Sequence, residues 1–223
     1  MSSTPPSGAA ARRPTLRWRP ASEQGEVLVL LTHPTFGRSR VNRAMARALS
    51  GLDGVTVHDL YEAYPDQDID VALEQRLLVG HRHLVWQHPF YWYSTPALLK
   101  EWQDHVLTFN WAYGPQGKAL QGKRFLQAIT TGGREEGYQP DGFNRYTIRQ
   151  LLAPVEQTAR LCGMEPLPPF VVHGTHRLDD ATVAAAAEEY RAVILALRDG
   201  RIDPARVAEL PRINHDLGAL LGA

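Results

Sequence analysis

The chain has 223 residues, enough for one α/β domain with a sizeable core and terminal extensions. Its 24 Lys and Arg residues balance 24 Asp and Glu residues, which argues against a nucleic-acid-binding protein, because such proteins usually carry a concentrated basic excess. The single cysteine, Cys162, excludes an intramolecular disulfide, and no apolar run reaches the ~20 residues of a membrane span, so we expect a cytoplasmic protein.

The composition along the chain predicts three parts. Residues 1–25 are rich in Ser, Pro, Ala and Arg without periodicity, which is typical of a disordered tail. Residues 26–198 alternate short aliphatic runs with helical patterns and form the predicted domain. Residues 199–223 predict a short helical extension whose role the sequence does not indicate.

The aliphatic runs predict five strands, each followed by a helix or a loop. Continuous apolar strands that alternate with helices indicate an α/β fold, a doubly wound five-stranded parallel sheet with helices on both faces. The predicted strands are residues 27–31, 55–57, 83–87, 124–129 and 170–172, and the predicted helices begin near Ser39, Val71, Ser94, Tyr146 and Asp179.

Three loops follow the first, third and fourth predicted strands, so they meet at the carboxyl edge of the sheet, where ligands bind in such folds. The first loop runs from His33 to Asn42. Its helix N-terminus favours phosphate, with Ser39, Arg38 and Arg40 as further donors, although Ser39 could also be a plain helix cap. The chain lacks the G-x-x-x-x-G-K-[S/T] motif, which argues against a nucleoside triphosphatase.

The other two loops favour a flat aromatic ligand. Phe90, Tyr91, Trp92 and Tyr93 are four consecutive aromatic residues that alternation cannot bury together, although a core or dimer contact could also use them. The turn of Thr130, Thr131, Gly132 and Gly133 allows close approach to its backbone, or could be a simple turn.

A metal site is the main alternative use for the nine histidines. None of them shows the H-E-x-x-H spacing or another recognisable ligand pattern, so we expect no metal. His81 and His83 flank Arg82 at a predicted strand start, and we expect both of them to face solvent.

These residues together resemble the quinone-reductase family of flavodoxin-like NAD(P)H dehydrogenases, over roughly residues 26–195. The chain is most similar to the ancillary flavoproteins of glutathione-gated potassium-efflux systems. The resemblance rests on His33-Pro34, Ser39-x-x-Asn42, Trp86-Gln87-His88-Pro89, Trp92-Tyr93-Ser94, Pro96-x-Leu98-Leu99-Lys100-x-Trp102, Trp111-Ala112-Tyr113-Gly114 and Thr130-Thr131-Gly132-Gly133, and for the subgroup on Tyr61-x-x-Tyr64-Pro65-Asp66, Ile69-Asp70 and Leu167-Pro168-Pro169-Phe170.

The resemblance implies a bound FMN or FAD and two-electron transfer from NAD(P)H to quinones by a ping-pong mechanism. It implies that the phosphate lies on the first loop, the flavin ring on the aromatic loop and the polar edge of the ring on the glycine turn. The implied cofactor-binding residues are His33, Ser39, Arg40, Val41, Asn42, Phe90, Tyr91, Trp92, Tyr93, Thr130, Thr131, Gly132 and Gly133, and the implied catalytic residues are Tyr138, Trp92 and Tyr113.

The resemblance also implies a homodimer whose partner chain completes each site. A regulatory subunit on the inner face of a potassium/proton antiporter is the alternative function, and a flavin-free module that binds aromatic ligands is a third. Asn144 stands where quinone reductases of the animal type have a histidine after the glycine turn, so the proton route through that histidine is not expected here.

Overall fold

The structure is a computed structural model that describes residues 24–218. The predicted N-terminal tail therefore lies outside the described residues, apart from its last two, and so do the last five residues of the predicted extension.

Parallel strands form the centre of the fold, in the order β2-β1-β3-β4. The last position is shared by β5 and β6, two short segments that both pair in parallel with β4. This sheet confirms the predicted doubly wound α/β architecture, with the fifth strand split in two. The strands are β1 (Gly25–Leu31), β2 (Val55–Asp59), β3 (His81–Pro89), β4 (Arg124–Thr130), β5 (Glu165–Pro166) and β6 (Phe170–Val172).

Helices cover both faces of this sheet. The helices are α1 (Val41–Ala48), α2 (Leu60–Ala63), α3 (Val71–Gly80), α4 (Ala97–Val106), α5 (Ile148–Leu151), α6 (Ala153–Leu161), α7 (Asp180–Arg198) and α8 (Pro204–Val207). One hydrophobic core lies under α1 and α7, and a second lies under α3, α4 and α6. Strand β1 contributes alternate residues to the two cores, which is why its aliphatic run is continuous.

The single helix predicted near residues 146–161 is two helices, α5 and α6. Pro154 stands in the first turn of α6 and has no N–H to donate to the preceding turn. The chain therefore begins a new helix there. Helix α4, predicted to begin near Ser94, begins at Ala97 with Pro96 as its N-cap residue.

The prediction that His81 and His83 face solvent is wrong. Strand β3 begins at His81, two residues earlier than predicted, and is covered on both faces. Both histidines are buried. His81 lies with Nδ1 2.7 Å from the Leu77 carbonyl oxygen and Nε2 2.9 Å from the Thr56 hydroxyl, which satisfies its ring in the interior.

The chain after α7 packs against the outer edge of the sheet. Ile213 is fully buried in the core under α1 and α7. The Asn214 amide accepts a hydrogen bond from the Val171 N–H and donates one to the Val171 carbonyl, both at 3.1 Å. This segment therefore covers an edge strand that would otherwise present unpaired backbone groups. None of the helices in residues 24–218 is long and apolar enough to cross a membrane.

Candidate functional site

A cavity of about 490 Å³ lies at the carboxyl edge of the sheet. Its volume falls within the range of about 300–1,000 Å³ that ligand pockets occupy. The loops after β1, β3, β4 and β6 line it, with these residues: His33, Thr35, Arg38, Ser39, Arg40, Val41, Asn42, Pro89, Phe90, Tyr91, Thr130, Gly132, Thr175 and His176. The three predicted loops therefore do meet at one site.

The first loop is fixed by its own hydrogen bonds and by the neighbouring strands. The Ser39 hydroxyl accepts a hydrogen bond from the Asn42 N–H at 3.2 Å. The buried Asn42 side chain donates to the Thr130 hydroxyl at 2.8 Å, and Gln87 donates to the Asn42 carbonyl at 2.9 Å. These bonds connect the start of α1 to the ends of β3 and β4, so the first and third loops are held in one arrangement.

His33 is a buried, neutral donor at the floor of this site. The Thr35 N–H donates to His33 Nδ1 at 3.1 Å. Burial lowers the pKa of His33 to about 4, so near pH 7 the ring carries one proton, and that proton is on Nε2.

The Arg40 guanidinium is bound by residues at the start of α7, although its place in the first loop predicts a donor for phosphate. The guanidinium donates to Asp180 at 2.6 Å and to the Leu178 carbonyl at 3.1 Å. The Arg40 side chain thus ties the start of α1 to the start of α7.

The aromatic loop is a tight turn. Tyr91 and Ser94 exchange two backbone hydrogen bonds, at 3.2 and 2.9 Å, and Trp92 and Tyr93 between them have φ values of 50° and 62°. Two central residues in the left-handed region define a type I′ turn, which usually contains Asn and Gly. The turn places Trp92 with 93% of its surface exposed, while Phe90 and Tyr91 line the cavity.

The glycine turn lies against the segment that follows β6. The Thr131 N–H donates to the Val172 carbonyl at 2.9 Å, and the Gly174 N–H donates to the Gly133 carbonyl at the same distance. A Cβ atom at Gly132 would lie 2.9 Å from the His176 ring, and one at Gly133 would lie 3.0 Å from the Tyr138 ring. A side chain at Gly132 would therefore require the exposed His176 to move, and one at Gly133 would require the Tyr138 ring to shift.

The residues expected to act in catalysis lie outside the lining of this cavity. Tyr138 is buried behind the glycine turn, Tyr113 is half-buried in the loop between α4 and β4, and Trp92 extends into solvent. Trp92, Tyr93, Thr131 and Gly133 belong to the lining loops without lining the cavity themselves. Asn144 accepts a hydrogen bond from the Tyr93 hydroxyl at 3.0 Å, which joins the aromatic loop to the loop after β4.

Thr175 and His176 are the lining residues that sequence reasoning missed. They follow β6, which pairs with β4 and ends at the same edge. The rule that ligands bind at the carboxyl ends of parallel strands applies to the fifth strand as well, so the sequence held a signal for this fourth loop. In residues 24–218, no group of three or more His, Cys, Asp or Glu side chains could hold a metal ion.

Comparison with known proteins assigns the chain to a protein family. A family described as having a flavodoxin-like fold matches residues 25–194. This chain belongs to that family.

Similar flavodoxin-like proteins carry informative names. The glutathione-regulated potassium-efflux system ancillary protein KefF of Klebsiella aerogenes is 44% identical over 165 residues, 74% of this chain and 92% of that protein. The structure of general stress protein 14 from Treponema denticola in complex with FMN is 40% identical with a TM-score of 0.74, covering 77% of this chain and 99% of that one. An NADPH-quinone reductase from P. pentosaceus is 32% identical with a TM-score of 0.69, covering 75% and 96%.

Proposed function

We propose that this protein is an NAD(P)H-dependent oxidoreductase that binds FMN in the carboxyl-edge cavity and reduces quinones or similar two-electron acceptors. The observation that carries the proposal is the cavity itself, where a helix N-terminus, an aromatic loop and a glycine turn meet. The FMN complex of a relative with 40% identity supports the same cofactor, and the quinone-reductase relative supports the reaction.

The start of α1 fits the phosphate of FMN. The first N–H groups of a helix have no acceptor within the helix, and the helix dipole favours an anion there. Arg38 is exposed beside this end, and the Ser39 hydroxyl is within the lining. Because Asp180 and Leu178 engage the Arg40 guanidinium, and the Asn42 N–H donates to the Ser39 hydroxyl, we assign the phosphate to the backbone N–H groups of Arg40 and Val41, to the Ser39 O–H and to His33 Nε2–H.

The aromatic loop and the glycine turn fit the flavin ring. Phe90 and Tyr91 offer ring faces, with Trp92 and Tyr93 at the open end, and the glycine turn of Thr130, Thr131, Gly132 and Gly133 offers backbone groups without a side chain in the way. When bound, FMN supplies the hydride and electron transfer that no side chain can supply. The protein orients the ring and excludes water, and N–H groups aimed at the ring stabilise negative charge on it. Tyr138 and Tyr113, with Trp92, are the proposed substrate-side groups.

The test compares FMN with riboflavin, which lacks the phosphate. We expect the purified protein to be yellow, to release FMN, and to oxidise NAD(P)H when menadione is added. Ser39→Ala should weaken FMN binding about tenfold, or ~1.4 kcal/mol, and riboflavin binding much less, because the Ser39 hydroxyl can donate to the phosphate while it also accepts the Asn42 N–H of α1. Ser50→Ala, exposed beyond the other end of α1, is the matched control. A colourless protein that takes up neither FMN nor FAD would overturn the proposal.

We also propose a homodimer whose partner completes the site. Trp92 and Phe143 expose 93% and 90% of their surface, and Phe109 exposes 61%. Large exposed aromatic residues are typical of protein interfaces. Sedimentation of the flavin-loaded protein should give the mass of two chains, and Trp92→Asp together with Phe143→Asp should give one.

Regulation of a potassium/proton antiporter is the second candidate function, which the likeness to KefF favours. In this role the protein would act in the cytoplasm, at the inner face of the membrane, through its partner. Co-purification with an antiporter encoded nearby tests this role. If Ser39→Ala reduces NAD(P)H oxidation at low FMN concentration and leaves potassium efflux activation intact, regulation does not need turnover.

A further inference from the structure

His173 is a half-buried residue directly after β6 that contacts two parts of the candidate site. Its Nδ1 atom lies 3.2 Å from the Thr131 hydroxyl oxygen. Its ring centre lies 5.6 Å from that of Tyr138, with the planes at 43°. His173 follows the fifth predicted strand, whose loop was not among the three loops assigned to the site.

The neighbours of His173 favour a proton on Nδ1. The Thr131 hydroxyl donates to the Gly133 carbonyl at 2.8 Å, so its oxygen is free to accept from His173. The Gly133 carbonyl is a second acceptor for the histidine, and Tyr138 is a further hydrogen-bond partner of the Thr131 side chain. Burial lowers the pKa of His173, which keeps the ring neutral near pH 7 with Nε2 bare.

Charged groups of two segments act on the His173 ring. Glu135 and Glu136 favour its protonation, and Arg212 opposes it. Arg212 donates to Glu135 at 2.6 Å, so these two charges largely offset each other beside the ring. The titratable group in direct ring contact is the buried Tyr138, whose pKa burial raises above its ordinary value.

Side chains as well as backbone hydrogen bonds fix the glycine turn from behind. Backbone bonds join Thr131 and Gly133 to the segment after β6. The Tyr138 ring packs on Gly133, and His173 packs on Tyr138. His173 therefore contacts both the hydroxyl and the ring on the far side of the turn from the cavity, where Thr131 and Tyr138 are also hydrogen-bonded to each other.

We propose that His173 is a positioning residue, whose Nδ1–H holds the Thr131 hydroxyl and whose ring holds Tyr138, so that the glycine turn keeps the shape that receives the polar edge of the flavin. This inference rests on the proposed function. His173 itself neither lines the cavity nor touches the cofactor site.

Two substitutions that introduce an amide test the Nδ1 contact separately from the size and polarity of the side chain. His173→Asn places an amide nitrogen near the Nδ1 position, whereas His173→Gln places one near the Nε2 position. We expect His173→Asn to keep the Kd for both FMN and riboflavin within about threefold of wild type, and His173→Gln and His173→Leu to raise both by about tenfold. Loss for both flavins distinguishes an effect at the ring from one at the phosphate. His105→Asn, exposed in the last turn of α4, is the matched control.

A flavin-free measurement completes the test. The ¹⁵N shifts of His173 at pH 7 should show the neutral ring protonated on Nδ1, and the amide signals of Gly132 and Gly133 should shift in His173→Leu and return in His173→Asn.

An Nε2–H ring, an imidazolium, or equal flavin binding by all three variants would overturn the inference. If the ring is as expected but wild-type protein binds no flavin, the proposed function fails instead. Should His173→Leu not fold, His173→Gln and the wild-type shifts still decide the question.

Discussion

Glu74 is a carboxylate without exposed surface in the core under α3, α4 and α6. It accepts hydrogen bonds from the Tyr64 hydroxyl at 2.5 Å and the Trp102 indole N–H at 2.8 Å, and its other contact is His58 Nε2 at 2.7 Å. These three partners come from three different segments of the chain. Burial, followed by the bond to Glu74, raises the pKa of Tyr64, which keeps its hydroxyl a donor.

Removing this carboxylate should destabilise the fold. Glu74→Leu leaves three buried donors unpaired, and we expect it to lower the free energy of unfolding by about 3–5 kcal/mol. Urea denaturation measures the change. Glu62→Gln, an exposed change on α2, is the control and should stay within about 0.5 kcal/mol of wild type. A loss below about 1 kcal/mol for Glu74→Leu would show that the network contributes little.

The type I′ turn between Tyr91 and Ser94 has a backbone conformation that its two central residues disfavour. Trp92 has φ 50°, a region that costs most non-glycine residues about 1–2 kcal/mol and that Asn adopts readily. Because Trp92 is almost fully exposed, Trp92→Asn should stabilise the protein by about 0.5–1 kcal/mol and lower its turnover of NAD(P)H. Gln67→Asn, at φ 64° in the exposed connection before α3, should give a similar gain with unchanged turnover. A loss of stability in Trp92→Asn would contradict the strain.

The elements differ in how far the sequence could predict them. Continuous aliphatic runs such as that of β1 predicted the sheet, since strands covered on both faces leave no other pattern. The shape of the turn at Trp92 was not predictable, because Trp92 and Tyr93 disfavour the positive φ values that this turn requires. Thr175, His176 and His173 were missed for another reason: β6 was predicted at the correct residues, but only the loops after the first, third and fourth strands were assigned to the site. The roles of the site residues remain predictions.

In the whole molecule, the candidate site and the segment that covers the outer strand lie at different parts of the sheet. The loops at the carboxyl edge hold the cavity, while the segment around Asn214, beyond the family match, covers the outer strand. Arg212 of that segment pairs with Glu135 in the loop after the glycine turn. The extension therefore stabilises the sheet edge and the back of the candidate site together.

Buried neutral histidines should make the whole molecule sensitive to mild acid. Burial lowers the pKa of His33, His83 and His88 from 6.5 to about 4. Between these pH values the unfolded chain therefore binds more protons than the folded protein. The contribution of these histidines to the free energy of unfolding is fully present above pH 6.5 and is lost as the pH falls towards 4. Each histidine contributes a slope of at most about 1.4 kcal/mol per pH unit.

His83 allows this acid sensitivity to be tested at one position. Neither of its buried ring nitrogens has a hydrogen-bond partner in the part of the chain that the structure describes, and Arg82, Arg124 and Lys123 add to the cost of charging it. We expect His83→Leu to raise stability by about 1 kcal/mol at pH 7, and by more at pH 5, because one proton no longer favours the unfolded chain. Urea midpoints at the two pH values measure the difference, with the exposed His105→Gln as control. An unchanged pH dependence in His83→Leu would mean that this histidine is already charged, or already hydrated, in the folded protein.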